Sequence, residues 1–83
     1  MFKLGQRVMV SDPKDELNPY INKECGTILG HGIDTYTIAV QFDKFVNGHD
    51  CGGRGTYGYC WYVPIDNITP ILSKPNNAIK ALI

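Results

Sequence analysis

Thr35-Tyr36-Thr37-Ile38-Ala39-Val40-Gln41-Phe42 decides the fold of this chain, because its residues alternate in kind with a period of two. Tyr36, Ile38, Val40 and Phe42 share one side of an extended segment, and Thr35, Thr37, Ala39 and Gln41 share the other. Successive side chains of a strand point to opposite faces, so the pattern predicts a half-buried strand over 35–42.

Strands are predicted on both sides of it. Glu24-Cys25-Gly26-Thr27-Ile28-Leu29-Gly30 reads as a short strand, and His31-Gly32-Ile33-Asp34 supplies the turn that makes the two a hairpin. Earlier, Phe2, Leu4, Val8 and Val10 share a parity, with Gly5 as a turn or bulge before a strand over about 6–11. Residues 11–23 hold Pro13, Pro19 and several turn formers, so they are expected to be a long exposed loop, either a connector tethered by Tyr20 and Ile21 or a recognition surface. Downstream, Tyr57, Tyr59, Trp61 and Val63 share one parity while Gly58, Cys60 and Tyr62 share the other, and Pro64 ends the ladder. Trp61 is expected to face the core, and Tyr57 and Tyr62 to reach solvent. Ile65-Asp66-Asn67 reads as one tight 3₁₀ turn before a last edge strand over 68–72.

Composition bounds the rest. With 83 residues the chain makes one domain with a small core. Apolar residues are 43% and charged residues 19%, which excludes a disordered polar chain. The formal net charge is zero, so the long-range cationic field that phosphate backbones require is missing and nucleic acid is demoted as a partner. No apolar run reaches the roughly 18–20 residues of a membrane helix, and no apolar stretch of signal-peptide type follows Met1, so a cytoplasmic protein is expected. Cys25, Cys51 and Cys60 are an odd set without regular spacing and are expected to be packed, free thiols.

The chemistry-bearing residues concentrate in Gly48-His49-Asp50-Cys51-Gly52-Gly53-Arg54-Gly55-Thr56-Tyr57-Gly58, a glycine-dense loop that runs into the aromatic strand. A zinc site would draw on His49, Cys51 and Cys60 with Cys25 or His31, but the spacing is not that of a knuckle and strand parity turns Cys60 away from Trp61. A thiolate and imidazolium pair lacks a helix N-terminus to lower the cysteine pKa, and the glycines lack the strand-to-helix context of a phosphate cradle. No catalytic residue, metal or cofactor is therefore assigned. His49, Asp50, Arg54, Tyr57 and Tyr62 instead make a candidate partner-binding set, of the aromatic and arginine composition enriched at protein interfaces. The alternative is a small-ligand, nucleotide or nucleic-acid module that stacks bases on the same aromatic loop.

Five short strands, two long loops and one tight turn make an all-β domain. Phe2-Lys3-Leu4-Gly5-Gln6-Arg7-Val8, Gly26-Thr27-Ile28 and Val40-Gln41-Phe42-Asp43 resemble the opening of a small five-stranded SH3-like barrel, here expected over 1–72 with a short C-terminal tail over 73–83. Gly48 to Gly53 followed by Gly58-Tyr59-Cys60-Trp61-Tyr62-Val63-Pro64 resembles small proteins encoded by phages and prophages of Firmicutes that are similar to the Mind-bomb-type SH3-like repeat. The resemblance implies a non-enzymatic binding protein that inhibits a host protein, with defence nucleases such as those of CRISPR systems as the leading class. The apolar end of the tail, Ala78-Ile79-Lys80-Ala81-Leu82-Ile83, is a candidate element for self-association as a homodimer or for partner binding.

Overall fold

A computed structural model describes residues 2–71, so the expected tail over 73–83 and its role in dimerisation lie outside the described residues. Five strands form, β1 (Arg7–Val10), β2 (Glu24–His31), β3 (Thr37–Phe42), β4 (Cys60–Pro64) and β5 (Ile68–Pro70), with a 3₁₀ turn over Ile65–Asn67. They make one antiparallel sheet in the order β4-β3-β2-β1-β5. β4 and β5 are therefore its two edges, although only the three residues of the 3₁₀ turn separate them. Four residue steps span at most roughly 14 Å. The outer strands of a flat five-stranded sheet lie about 19 Å apart. The sheet must consequently curl strongly on itself. A register shift between Ile28 and Gly30 at the β2–β3 pairing, of the kind that bends and twists a strand, contributes to this curl.

The turn is anchored at both ends of its crossing. Ile65 N donates to Tyr36 O at 2.8 Å, while Ser11 N donates to Asn67 O and Asn67 Nδ2 donates to Ser11 O, each at 2.8 Å. Inside the curl the alternate residues Val8, Val10, Ile28, Ile38, Val40, Phe42, Val63 and Ile68 pack with Ile21 and Val46 from the loops, and Trp61 lies against them. Each such side chain contributes about 1.5–3 kcal/mol by leaving water. Val63 and Trp61 thus take the parity expected of them.

Three expectations are corrected. The strand over 35–42 begins only at Thr37, and Tyr36 is 76% exposed. Polar side chains hold the preceding residues in a turn: Tyr36 N donates to Asp34 Oδ1 at 2.9 Å and Ile33 N to Thr37 Oγ1 at 2.9 Å. The aromatic strand begins at Cys60 and not at Tyr57, because Gly58 takes φ +92° and turns the chain just before it. The loop over 11–23 is anchored well beyond Ile21. Asp12 and Asn18 are buried. The Asp12 carboxylate accepts from the amides of Glu16, Leu17 and Asn18 at 3.0, 3.0 and 3.1 Å, and Asn18 Nδ2 donates to Val46 O at 3.0 Å. Tyr20, expected as a tether, is half exposed.

Candidate functional site

The glycine-dense loop is a second cover for the sheet. It leaves β3, runs along the free edge of β4 and returns across the outer face. His49 N donates to Cys60 O at 3.0 Å and Cys60 N to His49 O at 3.1 Å, which pairs the loop with the edge strand. Two glycines make this approach feasible. A Cβ at Gly48 would overlap the Cys60 carbonyl oxygen, and one at Gly55 would overlap Cys60 Sγ and crowd Gln41 Oε1 and Leu29 Cδ1. Beneath the loop Ala39, Cys51 and Cys60 form a small buried cluster of their own, with Leu29 and Tyr62 packed on it. Cys60 and Tyr62 face this side of β4 because Trp61 and Val63 face the other.

The five residues assigned from sequence to partner binding divide in their environments. His49 is half buried, with its ring 5.3 Å from that of Trp61 and 4.9 Å from that of Tyr62, and its Nδ1 accepts from Cys51 N at 2.9 Å. It therefore wraps the edge strand and touches aromatic rings from both faces. Asp50 stabilises the turn itself: its Oδ1 accepts from Gly53 N at 3.1 Å and its carbonyl oxygen from Gly55 N at 2.9 Å. Arg54 is exposed, yet its Nε donates to Cys51 O at 2.9 Å, so part of its role is to hold the loop closed. Tyr57 stands 75% exposed. Tyr62, expected in solvent, is half buried on the second cluster. The structure thus brings His49 and Tyr62 together, ties Asp50 and Arg54 into the loop, and leaves Tyr57 as the freest of the five.

None of the three cysteines is in a disulfide; Cys51 and Cys60 are buried in one cluster, while Cys25, partly exposed, sits on β2 opposite Met9. Burial first, and then the neighbouring Cys60, pushes the Cys51 thiol up to about 12. Burial raises Cys60 as well. Both are protonated near neutral pH and lack the ready thiolate of a nucleophilic cysteine.

A further aromatic residue completes the exposed surface. Phe45 is 55% exposed and meets Tyr59 edge-on, with centroids 6.0 Å apart and planes at 84°. Its ring lies so close over Gly58 that a Cβ there would stand 2.5 Å from Phe45 Cε1. Phe45, Tyr59 and the neighbouring Tyr57 therefore gather around one glycine. Sequence reasoning passed over Phe45; its signal was an apolar ring next to Val46, which alternation would bury, leaving Phe45 outside.

Two recesses lie among the described residues. One, of about 150 Å³, lies between residues 17–20 and Trp61; the other, of about 260 Å³, lies beside Phe2, Leu4 and β2. Both are smaller than the roughly 300–1,000 Å³ that small-molecule sites occupy. Among the described residues no group of three or more His, Cys, Asp or Glu side chains is placed to hold a metal ion, and no helix is long and apolar enough to cross a membrane. No protein-family model, curated protein or solved structure matches this chain.

Proposed function

We propose that this protein works by binding a partner protein, without chemical turnover, through the aromatic surface around Gly58. The observation that carries this is the exposure of Phe45 and Tyr57 on a loop fixed by backbone hydrogen bonds. Rings with few rotatable bonds on a preorganised support lose little entropy when a partner covers them. Arg54 adds a guanidinium on the same loop, and His49, Asp50 and Tyr62 form its half-buried support. The likeness to phage-encoded proteins makes a bacterial host protein the first class to test, with defence nucleases at its head.

The test is calorimetric titration against a panel of purified defence nucleases, with the Phe45→Ala/Tyr57→Ala double variant as the probe. Arg54 is left in place because its removal would also loosen the loop. Each buried anchor ring lost costs about 2 kcal/mol, so binding weakens by roughly two to three orders of magnitude. A double variant that binds like the wild type, or a panel in which nothing binds the wild type, overturns the proposal.

We also propose that the curled sheet is a closed SH3-like barrel. The consecutive pairing of β1 to β4, the return of β5 to β1 and the three-residue 3₁₀ crossing support it, beside the sequence likeness. Proton–proton contacts between β4 and β5 in solution NMR are the expected result, and edges that stay out of reach of one another refute closure.

A further inference from the structure

We propose that Cys51 and Cys60 are an oxidisable pair, which a low-molecular-weight disulfide converts into an intrachain disulfide that fastens the glycine-rich loop to β4. Both side chains are wholly buried and pack together with Ala39 in the small outer cluster. Cys60 Sγ points into the loop, 3.4 Å from Thr56 O and 3.7 Å from Gln41 Oε1, and it fills the space that a Cβ on Gly55 would need. On the loop side the backbone gives a second, independent observation. Cys51 takes φ +52°, in the left-handed region, and is followed by Gly52 and Gly53 with φ +73° and +88°. That conformation crowds the Cβ of an L-residue against its own backbone and is unfavourable. Glycine would relieve it, yet the position holds a cysteine whose thiol is delivered beside Cys60. Cys25, on β2, is outside this cluster.

The chemistry is thiol–disulfide exchange. The thiolate of one cysteine attacks the small disulfide, forming a mixed disulfide and expelling one small thiolate. The second cysteine then attacks the protein sulfur of that mixed disulfide and expels the other. Two protein thiols lose two protons and two electrons, and the small disulfide is reduced to two thiols. Because both sulfurs are buried and protonated, exchange waits on opening of the loop and quickens as pH rises. The closed ring encloses few residues and is anchored on a strand already paired to β3, so the product is a local staple.

The experiment equilibrates the whole protein in excess oxidised glutathione at mildly alkaline pH, quenches with acid, alkylates under denaturing conditions and maps the peptides by tandem mass spectrometry. Cys51 and Cys60 are expected to escape alkylation in a direct Cys51–Cys60 cross-link, whether Cys25 is alkylated or carries glutathione, with a Tm raised by roughly 10 °C over the reduced protein. Alkylation of Cys51 and Cys60, glutathione retained on either of them, a cross-link through Cys25, or a cross-linked protein with a lowered Tm each overturns the proposal. Peptide assignment on the wild-type chain makes the outcome independent of whether any cysteine variant folds.

Discussion

Replacing Gly48 by alanine places a methyl group where the Cys60 carbonyl oxygen already stands. The obstacle is backbone of an edge strand, which cannot rotate away as a side chain would. Gly48 is not in the left-handed region, so the cost is steric alone. Forcing a methyl group into packed surroundings costs about 1–3 kcal/mol. Relief by moving the loop outward instead breaks the paired His49–Cys60 hydrogen bonds, which contribute about 1 kcal/mol each. Either route predicts a loss of about 2–3 kcal/mol, or a Tm lowered by roughly 10–15 °C. Urea unfolding followed by the fluorescence of Trp61 measures the loss, and amide exchange at His49 reports where it falls. Gly53→Asn is the reference, since nothing lies within 4 Å of a Cβ there and asparagine tolerates its φ of +88°. It should cost under about 1 kcal/mol. A Gly48→Ala protein no less stable than Gly53→Asn, with the His49 amide still protected, would refute the close approach of loop and edge strand.

Two further substitutions probe the scaffold. Asp12→Ala removes the acceptor for three amides in the loop over 11–23 and should lower stability by about 2–4 kcal/mol in chemical denaturation, whereas Asp12→Asn, which keeps one acceptor oxygen, should lose less. Asp43 is held in a two-pronged pair with Arg7, at 2.7 and 2.6 Å, whose hydrogen bonds hold its carboxyl below the ordinary aspartate range. A depressed folded-state pKa means stability that is present above the unfolded value and is lost as pH falls through the folded one. The pair is half exposed, so the contribution is under about 1 kcal/mol. Wild type and Asp43→Asn should therefore differ slightly at neutral pH and converge in acid; a gap that widens on acidification contradicts the assignment.

Alternation is visible in a sequence wherever a strand has one buried face, which is why Ile38, Val40, Phe42 and Val63 were assigned to the core. The 3₁₀ turn at Ile65–Asn67 and the edge position of β5 agree with the expectation of a tight turn after Pro64 and a last edge strand. What period two cannot reveal is whether a loop folds back over the other face. Ala39 and Cys60 are buried because the loop over 48–58, which carries Cys51, folds back over them, a contact that local alternation within β3 or β4 does not encode. Tyr36 and Tyr57 share the parity of their strands but lie beyond the strand starts, where Asp34 and Gly58 turn the backbone. Asp12 falls in a loop expected to be exposed, and nothing in composition distinguishes a carboxylate in water from one surrounded by amides. The binding set was readable as residue types; that Asp50 and Arg54 serve the loop internally, and that Phe45 joins Tyr57 outside, depends on the fold of that loop.

The position of β1 has a consequence for the order in which the chain is completed during synthesis. Val8 faces Gly26 on one side and Pro70 on the other, so β1 is paired both by its nearest neighbour in sequence and by the last described strand. On the ribosome, the β2 side can be satisfied early. The β5 side stays open until residue 70 is made, sixty residues after Val10, which at roughly 5–20 residues per second is about 3–12 s. Through that interval Val8, Val10 and their partners lack the covering Ile68, and the nascent domain presents an unfinished apolar seam to whatever meets chains at the tunnel exit.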